Sequence, residues 1–201
     1  MTDISHGAQR LGLLTSSVAH IVYGGSARAW ESLRAQLWAA TAEDFDQQVG
    51  GAREFGHDNE DKGASMFWER HPEVKSISAG GFFLMETDGP LKGWVGSSPD
   101  RRIMVGRKMF GLEIKSPTRE EMMSKHGLKK HRHQCQHGML CTGWKKWYLV
   151  SHCGEQYHED LLLPDKAWQS TYLQRALLFK EFCYDGRQVA RRKLSITDIE
   201  D

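Results

Sequence analysis

Residues 111–116 read GLEIKS, and this short stretch limits the fold more than any other part of the chain. Side chains of a strand alternate between its two faces, so Leu112 and Ile114 share one face while Glu113 and Lys115 share the other. The apolar pair belongs in a core. The charged pair then lies together on the opposite face, and twelve residues separate Glu113 from an earlier carboxylate, Asp100, which follows Pro99. If Asp100 ends the strand before a hairpin that returns as FGLEIKS, it lies across from Glu113. Carboxylates held a few ångströms apart repel unless a proton or a cation sits between them. A hard cation such as Mg2+, with water completing its shell, answers that need. Lys115 beside it can orient or help deprotonate an attacking water, and the two-ion version of such a site stabilises both oxygens of a phosphodiester displacement. Each residue alone has an ordinary explanation, since Pro-Asp is a common turn pair and a Glu/Lys pair on one strand face is usually a solvated ion pair. Their joint spacing carries the chemistry.

The surroundings read as follows. Thr15 N-caps a short helix that ends at Gly24-Gly25, and Arg28 to Ala42 repeats apolar residues at Ala29, Trp30, Leu33, Leu37 and Thr41 with helical spacing. Phe55 to His71 is a helix stopped by Pro72, placing Glu60 on a side with Ala64, Phe67 and Trp68. SISAGGFFLME, GWVGSS, RRIMVG and FGLEIKS look like a meander of strands. Helices over about 119–126 and 132–141, strands WYLVS and YHEDLLL, and a helix from Pro164 to Cys183 complete the chain. Helices before and after a mixed sheet make an α/β or α+β sandwich. With 201 residues and no linker or low-complexity tract, the chain reads as one domain, 1–201.

Composition narrows the function. The start MTDISHGAQ lacks the features of a secretory signal and no apolar run reaches membrane-spanning length, so a soluble cytoplasmic protein is expected. Cys135, Cys141, Cys153 and Cys183 have no paired zinc spacing and read as reduced thiols. The net charge of +1 conceals a segregation: residues 101–146 hold twelve Lys/Arg against three Asp/Glu, and residues 41–100 hold twelve Asp/Glu against five Lys/Arg. A basic segment beside a carboxylate cluster suits a polyanionic substrate, although two solvated faces of opposite charge would look the same. HRHQCQH, 131–137, lacks the second ligand cluster of a zinc site, which leaves histidines on a basic helix facing phosphate.

SSPD followed by LEIKSP resembles the PD-(D/E)xK nucleases, in particular the phage lambda exonuclease type, the viral recombination alkaline exonucleases. RLGLLTSSVAHIV, FGHDNEDKGASMFWE and HRHQCQHGMLCTGWKKWYLV resemble further motifs of that family in the same order, over roughly residues 9–151; four motifs in order are more specific than any one. The resemblance implies a restriction-endonuclease-like core, a central mixed β-sheet flanked by helices. It makes Asp100, Glu113 and the Ile114 carbonyl metal ligands with Glu60 a further carboxylate near the ions, and Lys115 the lysine at the attacking water. Ser98, Gln134 and Gln136 would line the site. Arg10 and Ser17 would hold a terminal 5′ phosphate, and Arg28 and His131 would contact DNA. Two departures stand out: Arg101 and His131 occupy places where the family's pattern has a glycine and commonly a tyrosine.

The activity so implied is a Mg2+-dependent exonuclease, with Mn2+ as a substitute, that degrades one strand of duplex DNA 5′ to 3′ to mononucleotides and leaves a 3′ tail. The partners implied are DNA ends, a toroidal homotrimer and a single-strand annealing protein, in a bacterial cytoplasm under phage or prophage control. A site-specific or structure-specific endonuclease on the same metal core, or a DNA-binding module without catalysis, are the alternatives.

Overall fold

The computed structural model of the chain describes residues 12–39, 50–119 and 128–184. In chain order these form β1 (Leu14–Thr15), a 3-10 turn (Ser16–Val18), α1 (Ala19–Gly24), α2 (Ala27–Ala39) and α3 (Gly50–Arg70). There follow β2 (Val74–Ala79), β3 (Phe83–Leu84), β4 (Val95–Ser97), β5 (Arg101–Val105) and β6 (Lys108–Lys115). The remainder is α4 (Lys129–Thr142), β7 (Trp147–Cys153), β8 (Gln156–Leu162) and α5 (Lys166–Tyr184). The short helix expected over 119–126 lies, apart from Arg119, outside the described residues, as does Thr41.

The strands form a five-stranded sheet in the order β2-β5-β6-β7-β8 and a three-stranded one in the order β1-β4-β3. In the larger sheet β6 and β7 run parallel and the other neighbours antiparallel, a mixed sheet as expected. The meander does not hold throughout, because β4, antiparallel to β3, takes β1 as its other neighbour, in parallel with Leu14 opposite Val95, and not β5. A two-residue strand has too few side chains to show alternation, so Leu14 and Thr15 read as a helix start. Their pairing delays the helix: Ser16 to Val18 form a 3-10 turn, α1 begins at Ala19, and Thr15 makes no side-chain cap bond.

Alternation along β6 organises two of the three cores. Leu112 and Ile114 pair with Tyr148 and Val150, and with Ile103 and Phe110 they meet Ala64 and Phe67 of α3. On the other face Leu149 and Trp147 pack against Cys135 and Met139 of α4. Glycines permit this approach. A Cβ on Gly111 or on Gly138 would come within 2.3 Å of the Trp147 ring, which is held between β6 and α4. A Cβ on Gly63 would reach Ile114 at 2.5 Å, so α3 lies directly on the sheet. Trp68, expected to pack beside Glu60, is instead 46% exposed, while Phe67 is fully buried; the buried stripe of α3 runs Gly63/Ala64, Met66/Phe67, with Glu60 half-buried one turn before it.

The third core joins α1, α2, α5 and β4 around Trp30, Leu33, Tyr172 and Phe179. Buried Arg175 donates from Nε to the Val22 carbonyl at 2.8 Å, near the end of α1, and its guanidinium lies 5.2 Å from the Trp30 ring centre. A cation there satisfies carbonyls that the end of a short helix leaves without partners. No helix among the described residues is long and apolar enough to cross a membrane, and the four cysteines are free thiols.

Candidate active site

The β5–β6 hairpin turns through Gly106 and Arg107, with Gly106 at φ 63°, a left-handed conformation that favours glycine. That tight turn sets the register, Arg101 opposite Leu112, and one step further along Asp100 comes to face Glu113. Asp100 therefore opens the hairpin instead of ending an earlier strand. Its Oδ2 accepts the Ile114 N–H at 2.7 Å, which fixes the carboxylate at the end of the ladder.

Glu113 lies on the α4 face and is 1% exposed. Lys115 Nζ is 2.5 Å from Glu113 Oε1 and 3.7 Å from Asp100 Oδ2. Oε1 is held in that ion pair, and Oε2 is buried without a hydrogen-bond partner. Burial, then the Asp100 charge, pushes the Glu113 carboxyl up to about 8 against the opposing pull of Lys115. Burial works the other way on the Lys115 ammonium, but the Glu113 and Asp100 charges outweigh it and hold Lys115 above its ordinary value. Burying Leu112 and Ile114 contributes about 2 kcal/mol each. Taking a carboxylate out of water costs several kcal/mol. The strand thus carries a carboxyl whose ionisation costs much of what its apolar face gains, a cost that Lys115 offsets in part and a bound cation would offset further.

The donors are hard oxygens, which suits Mg2+ or Mn2+ better than a soft metal. Among the described residues no group of three or more His, Cys, Asp or Glu side chains converges on one point. The carboxylate pair would therefore need the Ile114 carbonyl and water to complete a shell, and Mg2+ characteristically keeps several waters. Glu113 Oε2, buried without a hydrogen-bond partner, and this donor set fit a hard divalent cation.

The other expected residues divide. Half-buried His131 and Gln134 share a face of α4, with His131 Nδ1 and Gln134 Oε1 3.4 Å apart. Burial, then the Lys115 charge, lowers His131 to about 4, so it is a neutral ring at physiological pH. The Ser98 Oγ is buried without a hydrogen-bond partner in the loop before Asp100. Gln136 faces elsewhere: its Nε2 donates to the Leu163 carbonyl at 2.7 Å and its Oε1 accepts the Asp165 N–H at 2.9 Å, tying α4 to the loop before α5. His133 and His137, expected to face phosphate, are packing residues. Trp168 Nε1 donates to His133 at 2.6 Å, and His137 joins the Tyr172 hydroxyl at 2.7 Å to the Gly96 carbonyl at 2.9 Å. Helical spacing alone puts His133 and His137 on one face of α4 without saying that α5 covers it.

Arg10 lies outside the described residues. Ser17 is exposed, with its Oγ 3.1 Å from Thr15 Oγ1; the helix expected to start at a Thr15 cap is replaced by a 3-10 turn and the six-residue α1. Arg28 is exposed near the start of α2. Glu60 stands beside the hairpin, where its Oε2 accepts a bond from Arg101 Nη1 at 3.2 Å. Arg101 also reaches Asp61 Oδ1 at 2.6 Å and the Asp100 carbonyl at 2.7 Å. This clamp was not legible in the sequence, because it joins residues forty positions apart.

Comparisons with known proteins agree with this arrangement. Against solved structures the chain is similar to an alkaline exonuclease from Laribacter hongkongensis, with TM-score 0.69 and 21% identity over 89% of this chain and 91% of that one. The same enzyme in complex with dAMP gives TM-score 0.68 and 20% identity, covering 90% and 91%. A phage related exonuclease from Haemophilus somnus 129PT gives TM-score 0.66 and 9% identity, covering 85% and 93%. Identities this low establish a shared fold. No match is found among curated proteins. Residues 6–145, however, match the YqaJ-like viral recombinase domain, a span that includes Asp100, Glu113 and Lys115. The chain belongs to the YqaJ-like viral recombinase family, the lambda exonuclease type that its motifs resemble.

Proposed function

We propose that the chain is a Mg2+-dependent exonuclease that enters at the end of duplex DNA. It degrades one strand 5′ to 3′ to mononucleotides and leaves a 3′ single-stranded tail for single-strand annealing recombination. One observation carries the proposal: a buried carboxylate, Glu113, beside Asp100, with one oxygen in an ion pair with the Lys115 ammonium and the other without a hydrogen-bond partner. Membership of a viral recombinase family and the fold shared with alkaline exonucleases support it.

Asp100, Glu113 and the Ile114 carbonyl would hold Mg2+, with Mn2+ as a substitute and a second ion in the version implied by the family resemblance. Bound there, the cation would polarise a phosphate oxygen and lower the pKa of a coordinated water. Lys115, kept charged by its two carboxylates, orients the attacking water and offsets charge on the phosphate. Gln134 and neutral His131 offer hydrogen bonds from α4, and Ser98 Oγ offers another from the loop before β5. Arg10 and Ser17 would hold the 5′ phosphate and Arg28 the duplex backbone. A toroidal homotrimer and an annealing protein in the host cytoplasm complete the proposal.

Purified protein with Mg2+ should degrade a linearised plasmid and leave its covalently closed form intact. Cleavage of the closed circle at a comparable rate would favour an endonuclease. Duplex binding with no cleavage of either form would favour a module without catalysis.

A further inference from the structure

The pleat of β5 sends its two arginines to opposite faces of the sheet. Arg101 turns toward α3, where Glu60, Asp61 and the Asp100 carbonyl occupy its guanidinium. Arg102 turns the other way. Its neighbour Ile103 belongs to the core under α3, whereas Arg102 lies opposite Gly111, which in turn lies opposite Trp147, a residue packed against α4. Glu113 and Lys115 stand on that same face, with Asp100 beside them. Two residues of strand, about 7 Å, separate Arg102 from Asp100.

The Arg102 side chain is half-buried and held at one point, where Nε donates to the Ala79 carbonyl of β2 at 2.9 Å. Among the described residues it has no other polar partner. An arginine that serves packing alone usually finds a carboxylate, as Arg101 and Arg132 do. Arg102 instead keeps both terminal nitrogens available, a planar fork that matches two oxygens of a phosphate. The anchor at Nε has already removed part of the side chain's freedom, so ordering it on a ligand costs less than for Arg107, exposed in the hairpin turn.

We propose that Arg102 binds a backbone phosphate flanking the linkage that is cleaved at Asp100 and Glu113. The inference rests on the DNA-degrading function proposed above and requires no cation, because it concerns how the strand is held on this face of the sheet.

The test is the salt dependence of binding to a 5′-phosphorylated duplex end in EDTA, by fluorescence anisotropy, for wild type, Arg102→Gln, Arg102→Lys and Arg107→Gln. Each phosphate contact contributes about 0.9 to the slope of log affinity against log salt. Arg102→Gln should lose about that much slope and bind about ten-fold more weakly at low salt, while Arg107→Gln follows wild type. Arg102→Lys keeps the charge but cannot span the Ala79 carbonyl and a phosphate together, so it should keep the slope and recover only part of the affinity. Wild-type slope and affinity in Arg102→Gln, or an equal loss in Arg107→Gln, would overturn the proposal. Should the glutamine variant fail to fold, full wild-type affinity in Arg102→Lys overturns the fork in its place. A wild type that binds no duplex would bring down the DNA-degrading function itself, a result distinct from variants that bind as wild type does.

Discussion

Asp100 Oδ2 accepts the backbone N–H of Ile114 at 2.7 Å, so the first carboxylate of the site is anchored to the strand that carries the second. The anchor needs an acceptor oxygen, whereas a cation needs negative charge. Asp100→Asn keeps an oxygen for Ile114 and removes the charge. The variant should fold with a nearly unchanged Tm and lose more than about 100-fold in cleavage, beyond what loss of an outer hydrogen-bond partner of a metal site costs. Saturating Mg2+ should raise the Tm of wild type, by the equivalent of about 2.7 kcal/mol at a hundred times Kd, and should leave the variant where it was. Thermal melts with and without Mg2+, beside cleavage rates, check both.

Gln134 and Gln136 are separated by one residue and should respond in opposite ways. Gln136→Ala removes two hydrogen bonds to the segment before α5 and should cost about 2 kcal/mol of stability, with near-normal turnover per folded molecule. Gln134→Ala should lower turnover and change stability little. Urea denaturation and single-turnover rates on both variants separate the two roles.

Trp147 is held between Gly111 and Gly138. Gly138→Ala places a Cβ 2.3 Å from a ring atom, and overpacking of this kind typically costs about 1–3 kcal/mol. Gly24→Ala, where a Cβ meets nothing within 4 Å, should be close to neutral. Urea midpoints for the two variants give the comparison.

His137 is fully buried between the Tyr172 hydroxyl and the Gly96 carbonyl, and burial lowers it from 6.5 to about 4. The unfolded chain therefore binds a proton between those values that the folded chain refuses. Stability should fall as pH drops from about 6.5 toward 4, by about 3 kcal/mol from this residue when the drop is complete. Denaturant unfolding at stepped pH should show that slope in wild type and a shallower one in His137→Gln.

The hairpin and its charged face were legible because strand alternation is local: Glu113 and Lys115 declare their common face two residues apart, and Asp100 needs only a tight turn to reach them. The helices were legible where apolar spacing was sustained, as at Trp30, Leu33 and Leu37. Three things were not. The parallel pairing of Leu14 with Val95 depends on residues eighty positions apart in a strand too short to alternate. The packing of half-buried His133 and buried His137 depends on α5 covering a face of α4 that the sequence leaves polar. The Arg101 clamp requires α3 to lie on the sheet beside β5, which follows from Gly63 meeting Ile114 and from nothing within either segment.

The account depends above all on strand degradation from a 5′ end by the Asp100, Glu113 and Lys115 site. Linear duplexes labelled at the 5′ or the 3′ terminus of one strand, incubated with Mg2+ and either wild type or Lys115→Ala, test this directly. Wild type should release the 5′ label as a mononucleotide at the first turnover and retain the 3′ label until the strand is consumed, while Lys115→Ala releases neither. Early release of the 3′ label, or wild-type release by Lys115→Ala, would contradict the account.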